Sequence, residues 1–70
     1  MRVRVDQKAD AIYVTLTDRA IESSEEPSEG IIIDYDAEGR VVGIEILDAA
    51  KRTADPTVLQ QFSFELPSVA

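Results

Sequence analysis

The stretch from Gly30 to Asp48, G-I-I-I-D-Y-D-A-E-G-R-V-V-G-I-E-I-L-D, constrains the fold more than any other part of the chain. Two β-branched runs flank Asp36-Ala37-Glu38-Gly39, and that composition specifies a β-hairpin. The turn residues suit a type I turn followed by a left-handed glycine, a three-residue loop that pairs Asp36 with Arg40. Hydrophobic matching asks for something else. Pairing Asp36 with Val41 aligns Ile31, Ile33 and Tyr35 with Val42, Ile44 and Ile46 in one apolar face; the two registers differ by one residue and swap the faces of one strand. Turn chemistry is the more local signal, and the sequence leaves both registers open. Ile32, Val41 and Leu47 fall on the opposite face, so the sheet needs cover there as well, from the C-terminal segment or from another subunit.

The remaining segments lean on this hairpin. Val3 and Val5 alternate with Arg2, Arg4 and Asp6, and Ile12, Val14 and Leu16 alternate with Tyr13, Thr15 and Thr17, so two more strands are expected around a Lys8-Ala9-Asp10 turn. From Asp18 to Glu29 the character changes: Glu22, Glu25, Glu26 and Glu29 mix with serines and Pro27. Ala20 to Ser24 can form a short strand, while Pro27 lacks a donor and Glu25 to Glu29 reads as a mobile acidic loop. After Leu47, Asp48 is a candidate cap for a helical turn through Arg52, and Asp55-Pro56 opens a second one through Gln61. Phe62, Phe64 and Leu66 alternate with Ser63 and Glu65, a pattern expected of a terminal strand that docks on the open sheet, in its own subunit or in a neighbour.

The expectation is one α+β domain over residues 1–70, a small antiparallel β-meander sheet with one or two short C-terminal helical turns. Residues 1–52 form its sheet region and 53–70 a docking segment. A chain of 70 residues buries only about 60% of its unfolded surface, so its stability is marginal. Without cysteine or histidine it has neither disulfides nor the usual ligands of zinc, haem or iron-sulfur clusters, which leaves self-association as the expected support. Seven basic residues against 14 acidic ones give a net charge of -7, which repels phosphate backbones and anionic head groups. Direct nucleic-acid and membrane binding are therefore not expected; the charge reads first as a means of solubility, and as the sharper alternative as attraction to a basic partner protein. No apolar run has the length of a membrane span, and Met1 to Val5 lacks a signal-peptide core, so a cytoplasmic protein is the default.

Two constellations could carry chemistry. Asp34, Asp36 and Glu38, with Gly39 and Glu45, have the ligand spacing of a calcium-binding EF-hand loop. That loop joins two helices, whereas here it would join two strands and carry Glu45 away from Asp36 and Glu38, so no metal is expected. The second is a cluster of Asp10, Tyr13, Asp34, Glu45 and Asp48, whose carboxylates could act as paired acid and base. So small a sheet has little volume for a deep pocket, and turn and cap hydrogen bonds account for the same residues. Glu45, flanked by Ile44 and Ile46, is expected to be partly buried and paired with Arg4, Arg40 or Arg52. Gly43, in mid-strand, implies a bulge or a close contact with the ring of Tyr13 or Tyr35.

Asp10-Ala11-Ile12-Tyr13-Val14-Thr15-Leu16, Ile31-Ile32-Ile33-Asp34-Tyr35-Asp36 and the block from Gly39 to Ala49 together resemble the small prokaryotic family known as domain of unknown function 2283. The resemblance covers roughly residues 3 to 52. It implies a compact β-rich domain and supplies no catalytic residues to carry over; no cofactor is expected. It also implies a genomic pairing with small toxin-like proteins, which makes an antitoxin-like binding role conceivable. The functional expectation is a non-catalytic protein-interaction or oligomerisation module, a homo-oligomer with a dimer favoured. The alternative is a small hydrolase or divalent-cation-binding domain using the carboxylate cluster.

Overall fold

Turn chemistry and hydrophobic matching are both satisfied in the computed structural model, which describes residues 1–68. Strands β4 (Ile31–Tyr35) and β5 (Val41–Ile46) form the hairpin. At its tip the Asp36 N–H donates to the Arg40 carbonyl at 2.9 Å, Gly39 N–H donates to the Asp36 carbonyl at 3.1 Å, and Gly39 takes φ 77°. That is the turn register, and it pairs Tyr35 with Val41. One step further along, Asp34 faces Gly43, Ile33 faces Ile44 and Ile31 faces Ile46, the hydrophobic register. A β-bulge that leaves Val42 without a partner on β4 absorbs the one-residue difference.

Three further strands complete one antiparallel sheet in the order β1-β2-β5-β4-β3, with β1 at Arg2–Asp6, β2 at Ala11–Thr15 and β3 at Ser23–Ser28. The meander runs through β3, β4 and β5, and the β1–β2 hairpin joins it through β5. Crossing from β2 to β3 therefore takes residues 16–22 past the hairpin tip. There the N–H groups of Leu16 and Thr17 donate to the Val42 carbonyl, Arg19 approaches the Asp36 carboxylate at 3.5 Å, and Glu22 N–H donates to the Tyr35 carbonyl. The bulge residue and the buried Asp36 are thus covered by a strap from the other half of the sheet.

The acidic stretch expected as a mobile loop is instead strand β3, with Glu25 paired to Ile33 and Ser28 to Ile31 across an irregularity. An edge strand needs hydrogen bonds on one side only, so Pro27 and a row of glutamates are admissible there. The C-terminal expectations also change. Helix α1 (Ala49–Thr53) is not capped by the Asp48 side chain, because Asp48 takes φ 54° and makes no cap bond. Asp10 does that work from forty residues earlier: its carbonyl accepts from Ala49 N–H at 3.0 Å and its Oδ1 from Ala50 N–H at 2.8 Å. Asp55 accepts from the N–H and hydroxyl of Thr57 and opens a 3-10 turn at Val58–Gln60. Phe62, Phe64 and Leu66 form no strand and are 53%, 80% and 96% exposed, so they do not dock in their own subunit.

Packing is thin. Among the described residues, buried apolar side chains are confined to Val42, Ala49 and Leu59. Two apolar rows cross four strands, Val5-Ile12-Ile46-Ile31 and Val3-Val14-Ile44-Ile33, yet Val3 is exposed and the other seven are only half-buried. The helix and the 3-10 turn pack on each other.

Candidate functional site

On the other face of the sheet, polar groups from four strands meet. Ser24 on β3 stands opposite Asp34 on β4, Asp34 opposite Gly43 on β5, and Gly43 opposite Thr15 on β2. Tyr13, two residues before Thr15, shares its face. Strands β2 and β4 are separated by β5, roughly 10 Å apart. The tyrosine ring must therefore lie across β5 to reach Asp34, and it does so over Gly43. Its hydroxyl donates to Asp34 Oδ2 at 2.6 Å, while the Ser24 hydroxyl donates to Oδ1 at 2.5 Å. A Cβ on Gly43 would stand 2.8 Å from the Tyr13 Cζ and collide with the hydroxyl, so only glycine leaves the ring its path. Asp34 is buried, and both of its oxygens are occupied.

The electrostatics follow from this geometry. Donation to Asp34 holds the phenolic proton, and burial together with the charges of Asp34 and Glu45 adds to the effect, so the Tyr13 pKa is pushed up to about 12. A general base or nucleophile needs its pKa moved towards neutrality, and Tyr13 moves the other way. The array joins β2, β4 and β3 across β5; its chemistry is that of a staple.

The hairpin tip holds the second buried carboxylate. Asp36 Oδ1 accepts from the N–H groups of Glu38 at 2.9 Å and Arg40 at 2.8 Å. The Arg40 N–H is the main cause of its lowered pKa; the Glu38 N–H and the charges of Arg19 and Arg40 add to it, and burial opposes.

Of the cluster Asp10, Tyr13, Asp34, Glu45 and Asp48, the structure brings together Tyr13 and Asp34, with Glu45 directly opposite Tyr13. Asp10 and Asp48 lie at the start of α1. Of the oxygen-ligand candidates Asp34, Asp36 and Glu38, Asp34 binds side-chain hydroxyls, Asp36 binds turn amides, and Glu38 is exposed. Among the described residues no group of three or more acidic side chains is placed to hold a metal ion. Glu45 is half-buried and makes no ion pair among the described residues. Arg52, one of its expected partners, instead donates to the carbonyls of Leu47 and Glu29 and packs against Gly30. An open cleft of about 420 Å³ beside the staple is lined by Arg4, Asp6, Tyr13, Glu45 and Leu47 among others.

Sequence reasoning missed Ser24 and Arg19. Ser24 gains its role only from the β3–β4 register, and Arg19 only from the strap over the hairpin tip. Among the described residues no helix is long and apolar enough to cross a membrane.

No curated protein and no solved structure matches the chain. A family model does match residues 2–49, from the first strand through the start of α1, and so includes Tyr13, Ser24, Asp34 and Gly43. The chain accordingly belongs to the family described as protein of unknown function (DUF2283).

Proposed function

We propose that this chain is a non-catalytic protein-interaction module that acts as a homo-oligomer, a dimer in its simplest form. One observation carries the reading: the rows Val5-Ile12-Ile46-Ile31 and Val3-Val14-Ile44-Ile33 are left half-exposed or exposed. Apolar area removed from water is worth about 25 cal/mol per Å², and a chain with so few buried side chains gains much of its stability by completing that burial against a second copy. The polar face supports the same reading. Its buried carboxylate is saturated with hydrogen bonds, and its tyrosine holds its proton too tightly for acid-base work at neutral pH.

Light scattering across a concentration series tests this. The expected result is a dimer that dissociates on dilution, with Ile44→Lys shifting it towards monomer at unchanged far-ultraviolet circular dichroism. A monomer at every concentration sinks the reading.

A second reading has its own support. Glu22, Glu25, Glu26 and Glu29 are all exposed on or beside edge strand β3, in a chain of net charge -7. This is a surface for a basic partner protein, and an antitoxin-like role would use it. Its signature is binding to a cationic protein that weakens steeply with salt and is lost when Glu25 and Glu26 are both changed to Gln.

A further inference from the structure

The two edges of the sheet differ. Edge strand β3 contains Pro27, a register irregularity and exposed glutamates, all of which obstruct the addition of another strand. Edge strand β1 has none of these. Arg2 to Asp6 pairs residue for residue with β2 and has no strand on its outer side. It also carries Arg2 and Arg4 against a single Asp6, in a chain whose other strands carry no net positive charge. An open, regular and basic edge accepts an extended, acidic, alternating segment.

This chain contains such a segment, and it makes no strand with its own sheet. Phe62, Phe64 and Leu66 repeat with period two, Ser63 and Glu65 lie between them, and all three apolar side chains are exposed. Gln61, where the segment leaves the 3-10 turn, is already extended at φ -131° and ψ 117°. The turn is fixed beside the end of β1, since Gln7 Nε2 donates to the Leu59 carbonyl at 3.1 Å.

From these observations we infer that residues 62–66 of one copy add as a sixth strand to the β1 edge of a second copy, reciprocally, in a two-fold dimer. The inference rests on the self-association proposed above and adds to the burial of its apolar rows, where Ile44→Lys acts, a second contact at the sheet edge. Period-two alternation fixes the faces. Phe62, Phe64 and Leu66 continue the apolar side of Val3 and Val5, and Ser63 and Glu65 fall on the side of Arg2 and Arg4. The added strand satisfies the outward N–H and C=O groups of β1 and covers Val3, which is 39% exposed. Local charge matching of Glu65 with the arginines offsets the mutual repulsion of two acidic chains. A two-fold exchange closes on itself, so it yields a dimer and not a filament.

Charge reversal in trans tests the contact, read by sedimentation equilibrium on the full chain. Glu65→Arg sets like charges against Arg2 and Arg4, and Arg4→Glu sets like charges against Glu65. Each alone is expected to weaken the dimer on the order of tenfold, because a two-fold interface repeats the clash. Mixing the two variants restores affinity: in the mixed dimer one site pairs the native Glu65 with the native Arg4, and the other pairs the two introduced charges. Association that neither substitution changes overturns this inference and leaves self-association standing. Weakening that mixing does not relieve overturns it as well. A wild-type chain that stays monomeric at every concentration overturns both.

Discussion

The Tyr13 hydroxyl reaches Asp34 Oδ2 at 2.6 Å across an intervening strand, over the bare backbone of Gly43. One side chain thereby joins β2 to β4, and through Asp34 and Ser24 to β3. In a sheet with few buried apolar side chains, such a polar link carries an unusual share of the order.

Tyr13→Phe keeps the ring over Gly43 but deletes the proton that satisfies Asp34 Oδ2. A buried acceptor left without a donor costs about 1–3 kcal/mol, and a charged carboxylate oxygen more. Urea denaturation is expected to show a midpoint lowered accordingly, with an unchanged slope. Ser24→Ala should cost less, because Ser24 is itself exposed and water can take its place.

Alkaline titration reads the same bond from the proton's side. Folding raises the Tyr13 pKa from 10.0 to about 12, chiefly through donation to Asp34. A raised pKa means that the folded state binds the proton more tightly than the unfolded state. The stabilisation is whole below pH 10 and is lost as the pH climbs through about 12. Phenolate absorbance in the native protein should therefore include a late phase that Tyr13→Phe abolishes. A native titration curve unchanged in that range by the substitution would refute the assignment.

Asp36 gives the opposite sign at the acid end. Its carboxylate is held below the ordinary range, first by the Arg40 N–H, and folding thus favours the deprotonated form. The contribution is present above the unfolded carboxylate pKa and disappears as the pH falls through the lower folded value. Chemical denaturation at stepped pH should show stability dropping over that acid window. Asp36→Asn, which keeps an acceptor for the two turn amides but has no proton to gain there, should flatten the drop. Arg19→Gln should flatten it only slightly, since the Arg19 charge is a lesser cause.

What the sequence made legible was local. Asp36 to Gly39 announces its turn through residues within hydrogen-bonding reach of one another, and the isoleucine alternation announces the facing rows. The open choice between two registers arose because both were real, and the bulge at Val42 honours each. Strand β3 was hidden because an edge strand facing water has no apolar alternation to display. Capping of α1 by Asp10 was hidden for a different reason: its partner Ala50 lies forty residues away, beyond any local pattern. Tyr13 and Asp34 could be grouped in one candidate cluster, but their direct contact depends on β5 lying between β2 and β4. Gly43 was the visible trace of that contact, a glycine placed where a strand would otherwise carry a side chain.

Gly43→Ala tests that contact. The added Cβ would stand 2.8 Å from the Tyr13 Cζ and 3.0 Å from the Val14 carbonyl oxygen, so the ring must move and the bond to Asp34 must break or bend. Overpacking of this kind costs about 1–3 kcal/mol, and the loss of the hydrogen bond is already contained in it. A double-mutant cycle separates the two effects. In a Tyr13→Phe background the hydroxyl no longer collides and Asp34 has already lost its donor. The same Gly43→Ala change should then cost less, leaving a coupling of roughly 1 kcal/mol between positions 13 and 43. Strict additivity would mean that the glycine serves the backbone alone, through its closeness to the Val14 carbonyl, and that the ring's path across β5 does not require it.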